Sequence, residues 1–418
     1  MTVRGTCPHV SAEREGDYYQ YFIGQGVDSW FLCGRCSEEI GAGTQVHILA
    51  INEAEARRIR ADAFCNGIMG APAITERPGR PLAPLVDTTI IGPQVIAFAA
   101  MPDRGLLAYN ECQDLEILDD ATNPATRRVI ANLKIEIEKS EPNSWRPIAL
   151  RLIVDPTGRF AALVHDYGRT GIVIDLGSGD VTMTLDGGDY HSNVVPFSAC
   201  FVLHRGAPVL IHRTAWNRLD ASDPKTGRQM TARAETSYQH GEERPEHYRD
   251  YFHGALLPSP SGSIILDDGW VWQPFGDLTI FDSQVWLERN PWETEDGMSL
   301  KTLLMREEWD AGVAWVTDDL VAVGHQFPAD HQGDGLGFLV CKSTRELTPI
   351  AGPSGRFFSD RSRLFTATPA GLSVWNLEDG TRAGFIPGFN PTVQHRSRRS
   401  LMEVHGDRLR AWSYASEG

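Results

Sequence analysis

The chain has 418 residues with 55 acidic against 39 basic side chains, a formal net charge of −16 that repels phosphate backbones and excludes general nucleic-acid binding. Hydrophobic residues at 41% and charged residues at 22% describe a folded chain with a substantial core, not a disordered one. The 40 Gly and 25 Pro favour many short strands over long helices.

The N-terminal stretch MTVRGTCPHVSAEREGDYYQ lacks an apolar signal-peptide region, and no run approaches the roughly 18 apolar residues of a membrane span, so a cytoplasmic location is expected. Seven Cys, an odd number, argue against a secreted disulfide framework. Lysine occurs only at Lys134, Lys139, Lys225, Lys301 and Lys342, the arginine-heavy balance expected of a GC-rich bacterial genome.

Four of the cysteines, Cys7, Cys33, Cys36 and Cys65, fall early in the chain. A redox C-x-x-C usually opens a helix, whose dipole lowers the thiol pKa. Here Cys36 is followed by SEEIGAGTQ, whose two glycines oppose a sustained helix. The preceding segments YYQYFIG and SWFL are predicted to form a hairpin that brings Cys7 and His9 towards Cys33 and Cys36. These are the four N/S ligands of a tetrahedral structural zinc site. The tight C-P-H spacing makes His9 the weakest member, and His47 or Cys65 is the alternative fourth ligand. Residues 1–66 are therefore expected to form a zinc-knuckle or zinc-ribbon-like module too small for a core of its own.

INEAEARRIRADAF, residues 51–64, carries an N-cap in Asn52 and a capping-box partner in Glu55, and predicts one short helix. Residues 67–84 include a Pro-rich run that predicts an extended connector.

Pairs of short apolar strands flanking a polar turn recur from residue 85 onward. They occur in VIAFAAMPDRGLLAY, ALRLIVDPTGRFAALV, SACFVLHRGAPVLIH, GALLPSPSGSIIL, VAWVTDDLVAVG, RFFSDRSRLFTAT and TVQHRSRRSLMEV. Turns centred on Asp103, Thr157, Gly206, Ser261, Asp318, Arg361 and Arg398 stand 37 to 57 residues apart, bracketing the roughly 40–50 residues of a four-stranded propeller blade. A further strand and Gly-containing turn follow in GIVIDLGSGDVTMTL and GLSVWNLEDGTRAGF.

The D-P-T-G-R and G-P-S-G-R turns and the strands SVWNL and LRAWS resemble those of WD-repeat-like β-propellers. This resemblance implies an all-β, seven-bladed β-propeller over residues 85–418, acting as a protein-interaction scaffold. No blade keeps both the Gly-His and Trp-Asp dipeptides of strict WD repeats. The last repeat ends at LRAWSY, and VDTTII, residues 86–91, is the expected outer strand that closes the ring.

ILDDGWVWQPFG, residues 265–276, places Trp270 and Trp272 two apart on a strand, so both face one side. With Tyr248, Arg249 and Tyr251 of YRDYFHG, they are the candidate partner-binding residues, because large aromatic and Arg side chains dominate interface energetics. Filling the space between blades is the competing role for the two tryptophans. A polar insertion over 217–247 precedes them and is expected to protrude or to be mobile. No H-E-x-x-H, phosphate-binding loop, nucleophile elbow or dinucleotide fingerprint occurs. Asp189 and His191, with Asp330, His331 and Asp334, are the candidates for an alternative hydrolase or carbohydrate-active site at the central channel. The basic stretch QHRSRRS, residues 394–400, reads as a solvated turn or a contact for an acidic partner.

Overall fold

The computed structural model describes residues 74–415, with breaks at 78, 80, 104, 141–145, 239–240, 273–274, 307–310, 326–334 and 345, and the backbone of two short strands upstream. Those two, β1 (Tyr18–Tyr21) and β2 (Trp30–Cys33), pair antiparallel with Tyr18 opposite Cys33, as YYQYFIG and SWFL predict. Cys7, His9, Cys36, His47, Cys65 and the helix expected over 51–64 lie outside the described residues, as do Asp330, His331 and Asp334.

Seven antiparallel sheets follow. After β3 (Val86–Thr89), blade 1 is β4 (Val95–Ala100), β5 (Leu106–Asn110), β6 (Asp114–Asp119) and β7 (Thr126–Asn132). Blade 2 is β8 (Ala149–Val154), β9 (Phe160–Asp166), β10 (Thr170–Asp175) and β11 (Val181–Asp186). Blade 3 has three strands, β12 (Ala199–His204), β13 (Ala207–Ala215) and β14 (Arg218–Ser222). Blade 4 is β15 (Phe252–Pro258), β16 (Ile264–Val271), β17 (Phe275–Asp282) and β18 (Lys301–Arg306). Blade 5 is β19 (Val313–Trp315), β20 (Leu320–His325), β21 (Gly335–Cys341) and β22 (Leu347–Gly352). Blade 6 is β23 (Arg356–Ser359), β24 (Arg363–Thr368), β25 (Gly371–Asn376) and β26 (Arg382–Pro387). Blade 7 is β27 (Val393–His395), β28 (Ser400–His405) and β29 (Arg408–Ser413), completed by β3.

The β3–β29 pairing, with Thr89 opposite Arg408 and Val86 opposite Ala411, is the closure expected of VDTTII. It removes an open edge by joining two distant parts of the chain. Apolar clusters fill the junctions between successive blades: Leu107, Leu152 and Leu163 between blades 1 and 2, for example, and Leu278, Trp315 and Phe338 between blades 4 and 5. Ile90, Leu106, Met402 and Leu409 fill the junction of blades 7 and 1, so the ring is continuous.

The blade sequences follow this geometry. A second strand is covered on both faces by neighbouring blades, so FAALVHD in β9 is apolar almost throughout and buried. The outermost strand of a blade meets solvent, and TRRVIAN in β7 is largely exposed. The turn between first and second strands needs a left-handed residue in blades 2 and 4, supplied by Gly158 (φ 74°) and Gly262 (φ 77°). The tryptophans of SVWNL and LRAWS are buried, Trp375 donating to the Thr366 hydroxyl at 2.9 Å and Trp412 to the carbonyl of Ala83 at 3.1 Å. Parts of the segment before β3 run beside β26, where Arg77 and Gly79 donate to the carbonyls of Arg382 and Ala383.

One helix sits inside the propeller sequence where none was expected: α1 (Ser283–Glu288), capped by the Asp282 carboxylate, which accepts from the backbone N–H groups of Gln284 and Val285. Among the described residues, no helix is long and apolar enough to cross a membrane.

Candidate functional site: an aromatic face at blades 3 and 4

Each blade is a meander, so its first-to-second turns open on one face of the ring. Second-to-third turns and blade-to-blade connections open on the other. The aromatic residues singled out in the sequence gather on this second face, where blade 3 lacks a fourth strand and the described residues of 223–238 and 241–251 form no named strand before β15.

That insertion is anchored. Asn217 donates its side-chain amide to the carbonyls of Thr236 (3.0 Å) and Arg249 (3.2 Å). Arg233 reaches back to the Asp220 carboxylate at 2.7 Å and the Leu219 carbonyl at 2.8 Å, and pairs with Glu295 beyond α1. Burial alone would raise the Asp220 pKa, but hydrogen bonds from Arg218 and Thr214 and the charges of Arg233 and Arg218 outweigh it and hold the group below the usual carboxylate value. The reading of 217–247 as a protruding or mobile insertion is corrected in part: Arg218–Ser222 forms β14, Thr231 and Thr236 are buried and the arginine ties this part to the blade, while 225–229 and 241–244 are exposed.

Above this anchor the rings form a closed circuit. Phe252 contacts Trp216 (centroids 4.5 Å apart) and Trp270 (4.6 Å), Trp270 meets Trp272 (4.8 Å), and Trp272 meets His191 (5.2 Å). His191 lies against Tyr190 (4.6 Å), which returns to Trp216 (5.3 Å). Tyr248 extends the circuit from Trp216 (6.3 Å) to Tyr238 (5.1 Å). The mostly tilted and edge-on contacts suit the quadrupoles of the rings.

The five candidate partner-binding residues separate by burial. Trp272 is 43% exposed and Tyr248 half-buried. Trp270 and Tyr251 are 6% and 1% exposed, so the reading of these two as surface anchors is corrected. Trp270 fills the junction with Phe252 and Val195. The Tyr251 hydroxyl donates to the carbonyl of Asp277 (2.7 Å) and accepts from the N–H of Gly269 (3.0 Å). Burial pushes its pKa well above the ordinary tyrosine value, so it remains a neutral phenol. Arg249 stacks over Tyr251, its guanidinium carbon 3.7 Å from the ring centroid, and donates to the Thr294 carbonyl. It supports the site from the side.

Tyr190, 48% exposed, Tyr238, 41% exposed, and Trp216 were missed in the sequence. They arrive from three separate connections, and only the blade junction brings them beside Trp272.

Asp189 is exposed, and His191 packs among aromatic rings. Among the described residues, no three His, Cys, Asp or Glu side chains gather as a metal-binding group. The central channel holds a cavity of about 840 Å³ lined by apolar groups such as Leu257, Val313 and Phe357, by Arg146, Arg151 and Arg356, and by two carboxylates, Asp166 paired with Arg151 and Asp268 paired with Arg306.

The fold and this face define the class: a seven-bladed β-propeller with an aromatic surface at one blade junction. No family profile matches the chain, and no curated protein matches it. Among solved structures, the C-terminal WD40 domain of Sif2 aligns with a TM-score of 0.46 and 12% identity, covering 82% of this chain and 100% of that one.

Proposed function

We propose that this propeller is a protein-interaction scaffold that captures a partner segment on the aromatic face of blades 3 and 4. The observation that carries this reading is the contiguity of half-exposed Trp272, Tyr190 and Tyr238 over a packed base of Phe252, Trp270 and Trp216. Rigid aromatic side chains on fixed supports lose little entropy on binding, and contiguous exposed rings are a liability unless something covers them. Exposed Asp189 and Asp250 stand next to Tyr190 and two residues beyond Tyr248 in the chain. The expected partner therefore presents basic residues, whose charges are favoured over ring faces and beside carboxylates.

The test is paired capture of tagged full-length protein from its native cells. Trp272→Ala and Tyr190→Ala should each lose a stoichiometric partner by about tenfold or more. Met298→Ala, at a residue 96% exposed and outside the aromatic circuit, should retain it. Retention by all three variants would overturn the assignment of the face.

The upstream module is proposed to carry structural zinc on Cys7, His9, Cys33 and Cys36. Support comes from the ligand chemistry of these residues and from the hairpin whose second strand ends at Cys33. Elemental analysis of protein purified without added metal should find about one zinc per chain, lost in Cys33→Ser/Cys36→Ser. A metal-free native protein would overturn this.

A further inference from the structure

The basic stretch 394–400 has a different setting from the aromatic face: it forms the first-to-second strand turn of blade 7, on the opposite face of the ring. There Arg396 and Arg399 line a cavity of about 310 Å³ with Arg361 from the equivalent turn of blade 6, together with Trp315, Gln394 and Tyr414. The cavity shares Trp315, Ser359, Gln394 and Arg396 with the central channel, where Arg356 lies deeper.

The guanidinium groups in this region are not treated alike. Arg398, in the same turn, is held by Asp120 at 2.7 Å, and Arg363 by Asp360. Arg361, Arg396 and Arg399 have no carboxylate partner among the described residues, and Arg356 donates only to the Pro391 carbonyl, at 3.0 Å. The one carboxylate in the cavity wall, Asp360, is already engaged by Arg363 and by the Ser362 hydroxyl.

Arg399 also stands where blades 2 and 4 place glycine. Its N–H closes the turn onto the carbonyl of Arg396, as Gly158 does on Asp155 and Gly262 on Ser259. Arg399 has φ 52° and Arg361 φ 80°, left-handed backbone that disfavours any side chain. Two arginines thus occupy positions that backbone preference alone would not give them. Nearby, the Tyr414 hydroxyl accepts from the Gln394 amide at 3.0 Å and keeps its own proton to donate.

We propose that this mouth of the channel binds a small oxyanion carrying at least two negative charges, phosphoryl or carboxylate, between Arg361, Arg396 and Arg399, with Arg356 behind them. Guanidinium groups match both chemistries through paired N–H donors. A pocket of uncompensated positive charge in a chain of net charge −16 concentrates small anions locally while the rest of the surface repels large ones.

Calorimetric titration of the full chain at low salt, with pyrophosphate and citrate in separate runs, tests this. Saturable binding of either probe is expected, weakened about tenfold or more in Arg396→Gln and in Arg399→Gly. The glycine variant removes the guanidinium while relieving the left-handed backbone, so it folds at least as well as the parent. Arg408→Gln, at an exposed residue that opens β29 away from the mouth, should bind as the parent does. Tighter pyrophosphate assigns a phosphoryl ligand, and tighter citrate a carboxylate. Absence of binding by both, or unchanged binding in the two mouth variants, overturns the proposal.

Discussion

Arg233→Ala is expected to destabilise the protein by about 3–5 kcal/mol, the range for removing one member of a buried ion network. The guanidinium is 1% exposed between two buried carboxylates, Asp220 at 3% and Glu295 at 0%. Truncation leaves Asp220 with Arg218 at 2.8 Å and the Thr214 hydroxyl at 2.6 Å, but leaves Glu295 with only the Thr294 hydroxyl at 3.0 Å. The cation also sits over the rings of Trp286 and Trp292, at 5.9 and 5.6 Å, and this contact is lost with it. Urea unfolding followed by tryptophan fluorescence measures the loss. Arg228→Ala, at an exposed residue of the same insertion, should shift stability by no more than about 0.5 kcal/mol. Equal effects from the two substitutions would show that the network contributes nothing.

The consequence reaches the aromatic face. Arg233 ties an irregular segment to β14 and to the chain beyond α1, in the place where other blades have a hydrogen-bonded fourth strand. Tyr238 and Tyr248 follow it in the same segment. Loosening the anchor should weaken partner capture without altering any ring that touches the partner.

The blade pattern was legible because it rests on local chemistry. Apolar strands flanking a polar turn, repeated seven times, mark the two innermost strands of every blade, since a second strand buried on both faces must be apolar. Closure by β3 was legible for a related reason: a blade one strand short, and a β-branched segment standing alone before the first hairpin, are both visible in one dimension. The two-residue period put Trp270 and Trp272 on one side of a strand, but β16 ends at Val271 and Trp272 stands in the turn beyond it. Period says nothing about depth, however, and Trp270 proved to be the support and Trp272 the exposed ring.

What stayed hidden came from non-local contacts. Tyr190, Trp216 and Tyr238 lie far apart in sequence, and none carries a repeat signal. The anchoring of 223–251 depends on Arg233 finding Asp220 and Glu295, an ionic arrangement that polar composition conceals because charged residues normally signal a solvated loop. The short helix α1 did leave a trace, the Asp282 cap before SQVWLE, but a single turn and a half inside a strand-rich sequence offers too little periodicity to compete with the blade pattern.

Asp277→Asn is expected to stabilise the protein at neutral pH and to flatten its stability profile between about pH 4 and 6. Asp277 lies on β17 beneath Tyr251 and is 9% exposed, and its Oδ1 has no hydrogen-bond partner among the described residues. Burial pushes the carboxyl from 3.8 up to about 6, against the opposing charge of Arg249 and a hydrogen bond from Thr302. The folded protein therefore holds this proton between pH 3.8 and about 6, where the unfolded chain has released it. The group's contribution is fully favourable below the unfolded value and is lost as pH rises through the folded one. At about 1.4 kcal/mol per pKa unit, the ionised group costs roughly 3 kcal/mol at neutral pH. The Asn variant avoids that cost with nearly the same shape. Asp220 and Glu138 have the opposite sign, since their folded pKa values are lowered and their contributions fade as pH falls. The wild-type curve alone is thus a sum, and the difference between wild type and Asp277→Asn isolates this carboxyl. Urea midpoints from pH 4 to 8 should diverge as pH rises, the variant becoming the more stable. Parallel curves would mean that Asp277 is ionised in the fold at little cost, and that the polar floor under the aromatic face is better solvated than its burial implies.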